Sequence, residues 1–242
     1  MKITYYGVAA FRIELEDGRG ITIDPYLDLS PVKWEDFPKS EYMVVSHGAS
    51  DHMGNAFDLV KRDGSRLIAP HCVIAYTKMC GIDPDQTRIM VSGAFKEYDG
   101  IGFKAVWANH ISMIHLSPTE FITGQPLGFI ITLPNGLKVY HMGDTSIFSD
   151  IKLIGELYQP DIVLLPIGRL KGEVAEMDAH EAAIAGTWLN PRMIIPMHYD
   201  LVSEAENPLI LEAEMKVRAN HIRVCKMKPG ETREVTKESL YA

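Results

Sequence analysis

Hydrophobic residues alternate with polar ones, or run together in short blocks, at 2–6, 10–14, 20–23, 42–46, 66–69, 103–107, 129–133, 138–142, 161–166, 193–197 and 222–226. Each block predicts a strand. Between them, at 55–61, 73–79, 149–157, 180–189 and 209–219, apolar residues recur every three or four positions, the period of a helix with one face in a core. Strands follow one another directly at the start of the chain and alternate with helices afterwards. That order predicts an α/β fold of two mixed sheets covered by helices rather than a doubly wound parallel sheet. Gly and Pro fall singly between the patterned segments, as in short turns, so residues 1–242 are expected to form a single domain.

Composition narrows the classes. The 242 residues are 46% hydrophobic and 23% charged, with no apolar run long enough to span a bilayer, so no membrane partner is expected. The chain opens directly on a strand-like pattern instead of the basic, apolar and small-residue order of a signal peptide, and the expected compartment is the cytoplasm. A net charge of −8 without a Lys/Arg-rich run argues against nucleic acid and for a small-molecule substrate. Cys72, Cys80 and Cys225 are odd in number and widely spaced, which indicates neither a disulfide framework nor a Cys-x-x-Cys clamp. A homo-oligomer is the ordinary expectation for a soluble enzyme.

Candidate chemistry concentrates where apolar runs end. Val45-Ser46-His47-Gly48-Ala49-Ser50-Asp51-His52 brings two imidazoles and a carboxylate into one short loop. Three more runs end in a ligand-type side chain: Ala105-Val106-Trp107-Ala108-Asn109-His110, Val139-Tyr140-His141-Met142-Gly143-Asp144 and Met193-Ile194-Ile195-Pro196-Met197-His198. A lone histidine is usually structural. Four strand-end donor sets in one chain point instead to a shared divalent ion, with zinc expected first and manganese or iron as alternatives, since imidazole and carboxylate suit all three. Ile21-Thr22-Ile23-Asp24-Pro25 and Val139 to Thr145 also echo each other, each ending an apolar strand in an aspartate.

Taken with Ile3-Thr4-Tyr5-Tyr6-Gly7, Phe11-Arg12-Ile13, Ile23-Asp24-Pro25, Pro166-Ile167-Gly168 and His198-Tyr199, these motifs resemble the metallo-β-lactamase superfamily, in particular its small metal-dependent hydrolases similar to L-ascorbate-6-phosphate lactonase. The resemblance covers nearly the whole chain. It implies a four-layer αββα sandwich of two mixed sheets with outer helices. It also implies two adjacent metal positions, His47 and His110 serving one, Asp51, His52 and His198 the other, with Asp144 bridging. The family's His-x-His-x-Asp-His has Ala49 in place of the second histidine, so the first position is depleted and the expected content is one or two ions per chain. The implied reaction is hydrolysis of a small lactone, ester, amide or phosphoester by a metal-bound hydroxide. The alternative that Ala49 keeps alive is a catalytically degenerate metal- or ligand-binding protein of the same fold.

Beyond the ligands, Asp51 is the candidate catalytic residue, orienting water or carrying its proton, against plain ligation. Arg169 and Lys171, just past Pro166-Ile167-Gly168, are candidate binders of a substrate carboxylate or phosphate, against a solvated turn. Tyr199 is a candidate oxyanion donor, against a packed aromatic. His180 is grouped with the substrate-binding residues, and it and His115 are the first suspects for replacing the ligand that Ala49 lacks. His71 and His141 are read as surface or supporting groups and His221 is given no role. Trp107, Trp188 and the methionines are expected in the core, with Met113 and Ile114 as exceptions if their loop lines an apolar substrate pocket.

Overall fold

The computed structural model describes residues 1–168, 176–199 and 207–241. Arg169 and Lys171 lie outside the described residues. The chain divides into two compact units. The first comprises Met1–Val91, Ile111–Leu127 and Lys228–Val235; the second comprises the described residues of Ser92–His110, Gly128–Met227 and Thr236–Ala242.

The first unit opens with β1 (Lys2–Gly7), β2 (Ala10–Glu14), β3 (Gly20–Ile23), β4 (Tyr42–Val44), α1 (Ser50–Met53), α2 (Ala56–Asp63), β5 (Arg66–Pro70), α3 (His71–Cys80) and β6 (Thr87–Met90). The second unit begins with β7 (Phe95–Tyr98) and β8 (Ile101–Trp107), and a hairpin of β9 (Ser112–His115) and β10 (Phe121–Gly124) belongs to the first. Then come β11 (Leu127–Thr132), β12 (Lys138–His141), α4 (Ile151–Tyr158), β13 (Ile162–Pro166), α5 (Ala179–Leu189), β14 (Met193–Met197), α6 (Asn207–Arg218) and β15 (Arg223–Val224). β16 (Thr232–Glu234) rejoins the first unit and α7 (Lys237–Tyr241) ends the second.

Among the described residues each unit holds one seven-stranded mixed sheet. In the first the order is β16-β1-β2-β3-β4-β5-β6, antiparallel through β3 and parallel beyond it. β4 and β5 are apolar runs because both of their faces are buried. Ala56, Leu59 and Val60 of α2 and Val73 and Ile74 of α3 pack with Met43, Val45, Leu67 and Ala69. Each such side chain contributes about 1.5–3 kcal/mol of burial. β3 and β4 run parallel, so Asp24 and the loop from Val45 to His52 leave the same end of the sheet.

In the second unit the order is β15-β14-β13-β12-β11-β8-β7. β12, β13, β14 and β15 are parallel; β11 is antiparallel to β12 and β7 to β8. The β7–β8 turn is Asp99-Gly100, both at positive φ (51° and 77°), which matches the twist of a tight hairpin. Tyr140, Val163, Leu165 and Ile194 share a core with Ile151 and Ile154 of α4, the alanines of α5, and Leu211 and Met215 of α6. Asp178 starts α5 with a capping box: its carboxylate accepts the Glu181 N–H at 2.8 Å while Glu181 accepts the Asp178 N–H at 3.2 Å. The parallel register carries Asp144, Gly168 and His198 away from one end of this sheet.

The predicted strands and helices form within a few residues of their expected bounds. β6, β7, β9, β10 and β16 and the short α1 and α7 lack a clear pattern in the sequence. Trp107, expected in the core, is instead 47% exposed at the end of β8. None of the three cysteines is in a disulfide, and Cys72 is buried. No helix among the described residues is long and apolar enough to cross a membrane.

Candidate metal centre

In the first unit the donors grow out of one hydrogen-bonded knot. Asp24, fully buried at the end of β3 with φ +45°, accepts the Ser46 N–H through Oδ1 at 2.7 Å. Its Oδ2 accepts the Ser46 hydroxyl at 2.6 Å and the His52 Nδ1–H at 2.8 Å. These bonds assign the proton of His52 to Nδ1 and leave the lone pair on Nε2. The Ser46 hydroxyl, its hydrogen given to Asp24, accepts from His47 Nδ1 at 3.0 Å, which orients His47 in the same sense. Both imidazoles are fully buried, their rings 4.2 Å apart.

The backbone of this loop is held independently of the side chain at 49. The Ala49 carbonyl accepts the N–H groups of His52 and Met53, and Ala49 itself is extended (φ −68°, ψ 148°). Gly48 N–H donates to Ser112 Oγ at 2.9 Å, tying the loop to β9, and Asn55 N–H donates to the Pro25 carbonyl. Asp51 is partly exposed on α1. Tyr26 lies within its field: burial first, then Asp28 and Asp51, hold the Tyr26 phenol above its ordinary pKa.

In the second unit the donors come from separate segments. Asn109 N–H bonds Thr145 Oγ1 at 2.9 Å and Ser146 N–H bonds the Asn109 carbonyl, which draws His110 to Asp144. His198 Nε2 stands 3.3 Å and His110 Nε2 3.9 Å from the same oxygen, Asp144 Oδ2. His198 has φ +65°, a left-handed conformation that costs a β-carbon-bearing residue about 1 kcal/mol or more. Gly168 makes room for it: a β-carbon there would lie 1.9 Å from the His198 carbonyl oxygen and 2.5 Å from its Nδ1. His141, expected at the surface or in support, is fully buried, and its Nδ1 accepts the Gly143 N–H.

Two residues of the site carry no signal as ligands in the sequence. Asp24 was visible only as a strand-end aspartate. Glu176 was not visible at all: it is 5% exposed, its Oε2 is 3.8 Å from His198 Nδ1, and burial, followed by the charge of Asp144, pushes its carboxyl up to about 7. The other candidates sit elsewhere. His180 is exposed on α5 and pairs with Glu214 at 3.0 Å. His115 faces outward on β9, beside Phe121. Neither joins the donors. Tyr199 donates its hydroxyl to the Met227 carbonyl at 2.7 Å, and a proton used in that way is not offered to an oxyanion. His221 pairs with Asn190.

Buried imidazoles with Nε2 turned away from their hydrogen bonds in the first unit, and imidazoles grouped on a carboxylate in the second, are the donor chemistry of a divalent metal, which such His and Asp side chains could hold. A family model described as a β-lactamase superfamily domain matches residues 2–198. A UPF0173 metal-dependent hydrolase of Methanobrevibacter smithii is 34% identical over 244 residues, covering 99% of each chain, and one of Methanosarcina mazei is 37% identical over 238 residues, covering 96% of this chain and 97% of its own. The structure of Igni18, a metallo hydrolase from Ignicoccus hospitalis, superposes with a TM-score of 0.82 at 32% identity over 97% of this chain and 99% of its own. An isothiocyanate hydrolase from Delia radicum gut bacteria, at 18% identity, shares the fold (TM-score 0.74, 98% and 99% covered). The chain belongs to the β-lactamase superfamily and, within it, to the UPF0173 metal-dependent hydrolases.

Proposed function

We propose that this hydrolase cleaves a small lactone, ester, amide or phosphoester, with His47, Asp51, His52, His110, Asp144 and His198 as its metal ligands. One position would take His47, His110 and Asp144 and the other Asp51, His52, Asp144 and His198, the division that the family resemblance implies. The observation that carries this reading is the pair of imidazoles turned with Nε2 towards one oxygen of Asp144. Two imidazole nitrogens converging on one carboxylate oxygen are the kind of donor set that a divalent cation draws together.

A divalent ion, zinc before manganese or iron, would supply a water activated at neutral pH and polarise the scissile carbonyl or phosphoryl group. The protein's part is orientation. Asp24 and Ser46 hold His52 and His47 in the tautomer whose Nε2 donates, and Asp51 binds the ion or steers the water and its proton. Arg169 and Lys171 remain the proposed binders of a substrate carboxylate or phosphate. The family model runs through segments of both units, which supports reading the chain as one hydrolase domain.

Ala49 favours a second reading, metal or ligand binding without turnover. A panel of lactones, esters, amides and phosphodiesters, tested with protein purified without chelator, separates the two. Hydrolysis lost on chelation and restored by a divalent ion is the expected result. Hydrolysis that survives complete metal removal contradicts the proposal, and metal retention without turnover of any panel member supports the second reading.

A further inference from the structure

Glu176 sits two residues before the cap of α5, held there by Met177, which is fully buried in the second unit's core, and by the Asp178 capping box. It is a carboxyl buried beside a second one, Asp144, with an imidazole against both. That imidazole is His198, with Nε2 3.3 Å from Asp144 and Nδ1 3.8 Å from Glu176. Gly168 opens the approach on the Nδ1 side, where a β-carbon would sit 2.5 Å away. In the first unit the same order of groups is drawn tight, buried carboxylate to Nδ1 with Nε2 left over, at Asp24 and His52.

We propose that Glu176 is a positioning residue for the metal, accepting the Nδ1–H of His198 so that the Nε2 lone pair is fixed on the ion. The proposal rests on His198 and Asp144 being ligands. A metal-bound imidazole donates its other N–H more strongly, so the contact that measures 3.8 Å closes when the ion is held. The carboxylate also adds negative charge next to a site that lacks the histidine at position 49.

The test is metal affinity, measured by competition with a chromophoric chelator on metal-stripped, folded protein, for wild type, Glu176→Ala, Glu176→Gln and Asp144→Ala. Glu176→Ala should weaken binding about 10- to 100-fold. Glu176→Gln, whose amide oxygen accepts the same Nδ1–H, should recover most of that loss. Metal-free urea unfolding separates this role from a merely structural one, which would lower stability in step with affinity: a loss of affinity in Glu176→Ala that far exceeds its loss of stability is the expected result. Unchanged affinity in Glu176→Ala, or Glu176→Gln no better than Glu176→Ala, overturns the proposal. Wild-type affinity in Asp144→Ala overturns the ligand reading instead, and so tells the two failures apart.

Discussion

The first unit presents its donors from one contiguous loop, braced by hydrogen bonds of 2.6–3.0 Å that run from Asp24 through Ser46 to His52 and His47. The second presents them from segments far apart in sequence, and the contacts around Asp144 and His198 measure 3.3–3.9 Å, with two carboxylates among them. One half is braced by short bonds of its own; the other gathers carboxylates and imidazoles at longer range. The difference teaches that a ligand set need not be equally preorganised: rigid donors fix where an ion sits, and strained ones gain most from its arrival.

The largest test of this contrast removes a donor from each side. His52→Ala leaves Asp24 buried without its imidazole, so metal-free protein should lose about 3 kcal/mol in urea unfolding as well as its activity. Asp144→Ala should abolish activity equally while leaving metal-free stability unchanged or raised, because it relieves repulsion at Glu176. Equal destabilisation in the two variants would erase the distinction.

Next comes the brace itself. Both oxygens of Asp24 accept hydrogen bonds, so Asp24→Asn must turn an amide NH2 towards a donor, and should lower metal affinity about 10- to 100-fold by disturbing the bonds that hold the His52 tautomer. Chelator competition reads it, and undiminished affinity would count against the role given to Asp24.

Two glycines give a smaller contrast. In Gly168→Ala the new methyl meets the His198 backbone, which cannot yield, so about 3 kcal/mol and much of the metal binding should go. In Gly48→Ala it meets the side chain of Ile114 at 2.5 Å, which can shift, so the cost should be nearer ~1 kcal/mol. Thermal unfolding ranks them, and the reverse order would mean that the second unit's donors are the more adaptable. The smallest effect is expected at Ala49→His: its extended backbone accepts histidine, so stoichiometry should move towards two ions per chain with little change in stability. A titration unchanged from wild type would show that position 49 does not face the metal.

Legibility followed the same division. His47, Asp51 and His52 could be read because they are neighbours in sequence behind an apolar run, and β4, β5, β13 and β14 because strands buried on both faces leave unbroken hydrophobic blocks. β7 and β10 are mostly exposed, so neither alternation nor apolar density marked them. Glu176 was illegible since its meaning depends on His198 and Asp144, each more than twenty residues away, arriving beside it. Tyr199 was singled out for its place beside His198 and His180 for its segment, and neither says where an imidazole or hydroxyl spends its hydrogen bond: His180 pairs with Glu214 and Tyr199 with Met227.

The most direct measurement is elemental analysis of folded wild type, His47→Ala and Asp144→Ala, all purified without chelator. Wild type should hold one or two divalent ions per chain, His47→Ala should keep the ion shared by Asp51, His52, Asp144 and His198, and Asp144→Ala should hold close to none. Asp144→Ala carrying as much metal as wild type would contradict the account at its centre.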